Sequence, residues 1–582
     1  MKFHQTPIRN LALTGAFTMM LASQTFAQTG RENPTADYAL INGSIHTMDK
    51  AGTVAEAIGI EGNKIVYVGE AAGLAGVIGI GTEVIDLEGR MVLPGFVEGH
   101  MHPTAGALIM RGVDVQVDSI DGILERVRTY AEENPDLPVV HGYGVRLHLW
   151  EDGYGTKEML DEIDSERPIY LWGVDGHQAW VNSKALEIAG IDENTPETVP
   201  GFSYFRRNED GTPAGWIVEV PAQLQVLSKL IDLNLEYTEA GVREWLPRFA
   251  AAGITTAHDY GIQGLGMEEG FQMMTDLAEA GDLPLRIQGN FYWNDPDLDP
   301  IPLVESIREK FNAELVTARG LKINMDGGDD AYSALYTEPY SDNPDAKPNP
   351  IIPYDVLNDA VLRADAAGIN VVCNCFGDAA VRAVLDAIEM AIEKNPPRDR
   401  RNVISHAMLV HPDDIPRFAE LGVTWDSTGA WMSRDPSLAS ISVSRLGEER
   451  IDRYVPMKAI AEAGGNVSLG SDWPAAGYIS EYRPLVAIRT AVMRQLPGRD
   501  DVPPLGGEEA RVSVDLALRA NTINAAYGMG RDHEIGSIEV GKFADLVVLK
   551  ENLYEIDPST IHEVEVLYTI MNGQLTFDHS AQ

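Results

Sequence analysis

Cysteine is nearly missing from this chain of 582 residues: Cys373 and Cys375 are the only two, and a bridge between them would close a trivial loop in poor geometry. The fold is therefore held by its core. Positive charge is scarce too. Lys and Arg number 45 against 88 Asp and Glu, a formal charge of −43. Such a surface repels phosphate backbones, so nucleic acid is a poor partner, and the acidity reads first as a device for solubility. No apolar run is long enough for a permanent membrane span; the stretch Leu11 to Ala22 falls short of it. There is no Gly-rich phosphate loop followed by Lys-Ser/Thr and no GxSxG elbow, and Gly62, Gly69 and Gly73 read as hairpin glycines. Fixed-period repeats and low-complexity tracts are absent as well.

What is present is an ordinary globular composition, 44% hydrophobic and 23% charged. The length allows three to five domains at roughly 100–200 residues each, or two if one is a (β/α)8 barrel. The first 27 residues read as a leader. Lys2 and Arg9 form a basic region, an apolar stretch follows, and Thr25-Phe26-Ala27 is a small-x-small cleavage signature. The mature chain is then expected to begin at Gln28, to carry −45 once both basic residues are lost, and to be exported to the periplasm or beyond without a membrane anchor.

Both ends of the mature chain are strand-rich. Tyr38–Ile41, Ala57–Ile60 and Lys64–Val68 near the start have Asn42-Gly43 and Gly62-Asn63 between them as turn signals, and a similar pattern returns in Ala544–Leu549, Val564–Tyr568 and Met571–Thr576 near the end. They predict a small β-sandwich built from both termini. Between them, apolar runs (Met91–Val97, Ile169–Trp172, Gly253–Ala257, Leu285–Gln288, Leu321–Met325, Ile369–Val372, Val403–Ser405, Val423–Trp425, Val467–Leu469) alternate with helical stretches such as Ala379–Lys394. This α/β alternation predicts a parallel sheet closed into a barrel. The expected division is a leader over 1–27, sandwich over 28–92, barrel over 93–510 with an insertion at about 104–250, and a last helix plus the rest of the sandwich over 511–582.

The sharpest chemical feature is the run Leu93-Pro94-Gly95-Phe96-Val97-Glu98-Gly99-His100-Met101-His102-Pro103. Histidines at i and i+2 of a strand point the same way and can share one cation, and a barrel keeps its active site at the C-terminal ends of its strands. Together with Asp175–Ser183, Gly253-Ile254-Thr255-Thr256, Lys322–Gly328, Gly377-Asp378-Ala379-Ala380, Leu469–Pro474 and Gly536–Leu546, this run resembles the amidohydrolase superfamily, in its YtcJ-like branch, amidohydrolase family 3, over roughly Ala36 to Phe577.

The resemblance implies a (β/α)8 barrel and a divalent metal, zinc or a similar ion, one or two per chain. His100 and His102 match the first-strand ligands, and Lys322 matches a fourth-strand lysine that many relatives carry as a bridging N-carboxylate. His406 matches the sixth-strand histidine, and Asp472 matches the eighth-strand aspartate that binds metal and moves protons. From the residues alone, Lys322 could instead pair with a carboxylate such as Asp326. His177 and Glu219 are candidates for contact with substrate, and Glu219 or His258-Asp259 could also reach the metals. Two departures stand out. Asn374 occupies the usual strand-five histidine position, so the second metal site is weak or absent unless Cys373 or Cys375 compensates; strand alternation points both thiols into the packing. Asp426-Ser427-Thr428-Gly429 replaces a frequent Gln-Pro and alters the expected substrate pocket.

The leading expectation is an exported hydrolase of non-peptide C–N bonds that acts on a small molecule through metal-activated water, with Asp472 as the proton carrier; a homodimer is allowed. Its alternatives are a mononuclear deaminase or ester hydrolase on the same barrel, and a non-catalytic exported binding protein.

Overall fold

A computed structural model describes residues 35–150, 154–199, 203–262 and 265–581. The expected leader, 1–27, lies outside the described residues, and no described helix is long and apolar enough to cross a membrane. Eight parallel strands form the central sheet: β1 (Phe96–Met101), β2 (Ile254–Asp259), β3 (Arg286–Trp293), β4 (Val316–Asn324), β5 (Val371–Cys375), β6 (Val403–His406), β7 (Thr424–Thr428) and β8 (Asn466–Gly470). They follow chain order around the sheet, and β8 returns to β1, where the Asp472 N–H donates to the His100 carbonyl at 2.7 Å. Gly470 makes this contact possible, since a Cβ there would stand 2.4 Å from the His100 nitrogen.

Strand alternation sets the layers. Leu321, Ile323, Val371, Cys373, Cys375, Ile404, Trp425 and Leu469 face the surrounding helices, such as Tyr354–Ala366 and Asp378–Lys394, in one fully buried core. Burying each such aliphatic side chain contributes roughly 1.5–3 kcal/mol. Both cysteines are spent on this packing, with free thiols.

The two ends of the chain pack as two sheets. Tyr38–Ile41, Ala57–Glu61, Lys64–Gly69 and Glu83–Asp86 make one; Ser44–His46, Val54–Ala55, Met91–Pro94, Leu546–Leu549, Val566–Met571 and Gln574–Asp578 make the other. Leu40, Ile58, Ile60, Val92, Leu546 and Val548 are among the side chains buried between them. Their attachment is to the N-terminal ends of the barrel strands. Gly95 N–H donates to the Asp545 carbonyl at 2.9 Å, and the fully buried Arg286 at the start of β3 pairs with Asp545 and with Asn572. The opposite end of the barrel is left free for chemistry.

Two runs behave differently from their sequence pattern. Met91–Val97 is two strands: Met91–Pro94 joins the sandwich and Phe96 opens β1, with Gly95 at the junction, where a Cβ would collide with Thr255 at 2.2 Å. Ile169–Trp172 belongs to a separate mixed sheet in the insertion, ordered Tyr204–Arg207, Pro213–Val218, Gln178–Val181, Ile169–Gly173, Val140–Val145, Val113–Asp114. A short apolar run looks the same in either sheet, so periodicity does not separate them.

Candidate metal centre

His100 lies inside β1 and His102 just beyond its end, and the interior side they share is almost dry: their exposures are 1% and 8%. Their Nε2 atoms stand 3.3 Å apart, and Asp472 Oδ1 is 3.2 Å from the first and 3.5 Å from the second. His406 Nε2 lies 4.0 Å from Asp472 Oδ2. His100, His406 and Asp472 present ligand atoms all within 4.8 Å of one another. Imidazole lone pairs and a carboxylate crowd together like this only around a proton or a cation, and three nitrogens with one oxygen suit a zinc-like ion. The donor set therefore fits a divalent metal.

The local backbone is bent to make this set. Ile404 faces the helices and Ser405 faces the barrel interior, so regular alternation would send His406 outward with Ile404. Instead His406 takes φ 63° and Ala407 φ 36°, which turns the chain at the end of β6; the Ala407 N–H is caught by the Cys375 carbonyl at 2.8 Å. Asp472 is likewise left-handed, at φ 55°. Such non-glycine conformations cost about 1–3 kcal/mol each and persist where neighbouring structure enforces them. Here Glu98 helps, accepting the Ser471 N–H at 2.5 Å and pinning the Asp472 loop to β1.

Electrostatics keep His100 and His406 neutral, as ligation requires. Burial pulls His100 well below its usual range, helped by the Lys322 charge. Burial also brings His406 down to about 4 against the opposing pull of Asp472. Lys322 is lowered to about 7 by burial, although Asp472 favours its charged form. Its Nζ donates to Asn374 Oδ1 and sits 4.6 Å above the Tyr260 ring, whose centroid lies 3.7 Å from that of His100 in a near-parallel stack. Lys322 does not pair with Asp326, whose carboxylate accepts the backbone N–H groups of Leu335, Phe376 and Gly377. Asn374 thus contacts Lys322 at the strand-five position.

Behind the centre lies a layer that sequence reasoning passed over. Ser405 Oγ is 2.6 Å from His100 Nδ1 and donates to Asp426 Oδ2 at 2.9 Å; Ser468 Oγ donates to Asp426 Oδ1 at 2.7 Å. Asp426 is fully buried, and burial raises its carboxyl to about 7 against the pull of both serines. Glu98, which burial lifts to about 8, was also missed; its spacing two residues before His100 was the available signal.

His177 and Glu219 form a separate pair. His177 Nδ1 meets Glu219 Oε2 at 2.9 Å, and neither stands among the His100, His406 and Asp472 ligand atoms. The His177 side chain is 60% exposed, and neighbouring protein encloses the rest of it. That enclosure lowers its basicity, but the hydrogen bond and charge of Glu219, with Asp175 and Asp330, outweigh it and raise the imidazole to about 10. Asp330 follows β4, so the pair faces the loops at the C-terminal ends of the strands. His258 is buried, meets the Asn290 amide at 3.0 Å and is lowered to about 3 by burial; Asp259 accepts the Gly261 N–H at 2.9 Å. Half-buried Trp431 stacks on His406 with ring centres 5.4 Å apart.

The amidohydrolase family profile matches residues 83–577. The protein LONG AFTER FAR-RED 3 of Arabidopsis thaliana is 29% identical over 545 residues, covering 93% of this chain and 91% of that one. An N-substituted formamide deformylase of Arthrobacter pascens is 28% identical over 565 residues, covering 94% and 99%. Among solved structures, an uncharacterized metal-dependent hydrolase from Pyrococcus horikoshii superposes with a TM-score of 0.70 at 21% identity, covering 90% of this chain and 99% of that one; it shares the fold.

Proposed function

Because the chain belongs to the amidohydrolase family, and is thereby a metal-dependent hydrolase of C–N bonds other than peptide bonds, we propose that it cleaves an amide-type bond of a small molecule at a centre holding one zinc-like cation. The observation that carries this is the convergence of His100, His102, His406 and Asp472 in a buried site at the C-terminal ends of the barrel strands. The three histidines and Asp472 would hold the ion; when bound, it acidifies water and polarises a carbonyl. Asp472 accepts the water proton on its carboxylate and returns it to the leaving nitrogen, acting as base and then acid. Trp431 over His406 excludes water from one side. His177, kept protonated by Glu219, offers its Nε2–H to a substrate oxygen at the rim.

The count of one ion is supported by Asn374, whose amide oxygen is a poor zinc donor and is engaged by Lys322. A lysine lowered to about 7 also has enough free amine to take up carbon dioxide, and an N-carboxylated Lys322 would restore a second site. The leader motif supports an exported protein with Gln28 at its mature N-terminus.

The test is elemental analysis of protein purified without chelator, with a screen of N-acyl and N-formyl amines. One metal per chain and amide turnover are expected. Two metals with a carbamate signal after 13C-bicarbonate labelling would replace the single-ion account. One metal with turnover only of esters or aminated rings would favour the ester hydrolase or deaminase chemistry. No metal, and no uptake of zinc or manganese, would sink the proposal. N-terminal sequencing of the secreted or periplasmic fraction checks the leader.

A further inference from the structure

We infer that Asp426 is a positioning residue that fixes the tautomer of His100 through Ser405, and so sets the affinity of the cation site. This rests on His100 being a ligand of that site. The argument follows from which atoms can donate. In its ionised form, the state tested below at pH 8, the Asp426 carboxylate only accepts hydrogen bonds. Asp426 touches two serine hydroxyls, Ser405 at 2.9 Å and Ser468 at 2.7 Å, so each hydroxyl hydrogen points to it. With its one hydrogen committed, Ser405 Oγ can only accept from its remaining neighbours, the Tyr260 hydroxyl and His100 Nδ1 at 2.6 Å. Nδ1 must then carry the proton, and Nε2 is left bare toward His102 and Asp472, with a lone pair for a cation. Asp426 Oδ2 itself lies 3.7 Å from His100 Nδ1 and reinforces that choice.

Asp426, Ser405 and His100 are all at most 1% exposed, so no solvent offers an alternative partner. The stacked Tyr260 ring holds the imidazole plane. The three residues stand on β7, β6 and β1, so one carboxylate determines how a ligand two strands away presents itself. Outer partners of this kind typically change metal affinity 10–100-fold.

The test measures zinc affinity of the whole protein at pH 8 by chelator competition, together with the visible spectrum of the cobalt-loaded form, in wild type, Asp426→Asn, Ser405→Ala and the double variant. Each single variant is expected to weaken zinc binding at least tenfold with an altered cobalt spectrum. The double variant should be no more than about threefold worse than the weaker single, because both changes break one chain. Losses that multiply, or an Asp426→Asn affinity within twofold of wild type, would overturn the inference. Should Asp426→Asn fail to fold, Ser405→Ala decides: unchanged affinity overturns the inference, and a tenfold loss at an unchanged metal-free melting temperature supports it. A wild-type protein that takes up no cation would instead defeat the metal reading itself.

Discussion

The tightest contact in the centre gives a sharp perturbation, Gly470→Ala. A Cβ at this position would lie 2.4 Å from the His100 nitrogen, 2.8 Å from its Cβ and 2.9 Å from its Cα. Ordinary van der Waals contact begins at 3.4 Å, so one methyl must drive β1 and β8 apart by about 1 Å. Gly470 is not in the left-handed region, so the substitution adds no dihedral strain and its effect is steric. Overpacking of this size typically costs about 1–3 kcal/mol of stability. The displacement falls on His100 and on the strand leading into Asp472, and a 1 Å misplacement of reacting groups costs on the order of 100-fold in rate. The expected outcome is a folded protein with about 100-fold lower kcat/KM on its best amide and weaker zinc retention. Steady-state kinetics, elemental analysis and thermal melting measure the three. Activity within threefold of wild type would show that β1 and β8 do not approach as closely as described, and the geometry of the centre would need rebuilding.

Asp472→Asn should keep the fold and lose about 10²–10⁴-fold in kcat through its proton-transfer role alone; full activity at matched metal content would remove Asp472 from the chemistry. Arg286→Met strands the buried Asp545 carboxylate and should destabilise the protein by about 3–5 kcal/mol in urea titration, whereas Arg286→Met with Asp545→Leu should recover most of that loss. Because Glu219 raises His177 to about 10, the imidazole should stay protonated from pH 6 to 9 and lose its proton only near pH 10. In Glu219→Gln it should titrate back toward its ordinary value of 6.5, with KM rising above neutral pH. NMR of 15N-histidine-labelled protein reads both, and a wild-type His177 titrating near neutrality would contradict the pairing.

Much of this was legible in the sequence where chemistry and strand parity coincide. His100 and His102 share a parity, and two histidines closing a barrel strand are well placed to share a cation. Asn374 could be placed opposite Cys373 and Cys375 in the same way, and the structure sends the thiols into the helix-facing core and the amide to Lys322. Parity alone would have misplaced His406, because its approach depends on a left-handed turn that no pattern of residue types announces. The Asp426 layer was hidden for another reason. Its serines come from β6 and β8, and the histidine it serves lies 305 residues before Ser405, so only closure of the barrel brings them together. In sequence Asp426 reads as an oddity of the pocket, whereas it lies beneath the metal centre. Glu219 reads as a metal bridge as readily as a substrate contact, and its carboxylate is taken by His177.

The sandwich has a consequence for synthesis. Met91–Pro94 is completely buried in the finished protein, yet its neighbour in the sheet, Leu546–Leu549, is made roughly 450 residues later. At about 5–20 residues per second a ribosome needs on the order of half a minute or more to supply that partner. Throughout that interval the early strand offers an open, apolar edge of the kind that recruits foreign strands. The closing segment also reaches the foot of the barrel, where Asp545 receives Arg286 and the Thr569 hydroxyl donates to the Ala250 carbonyl at 2.7 Å. The last forty residues therefore act as the clasp of the whole molecule, and a chain cut short of them would be left with both an unfinished sheet and an unpaired buried arginine.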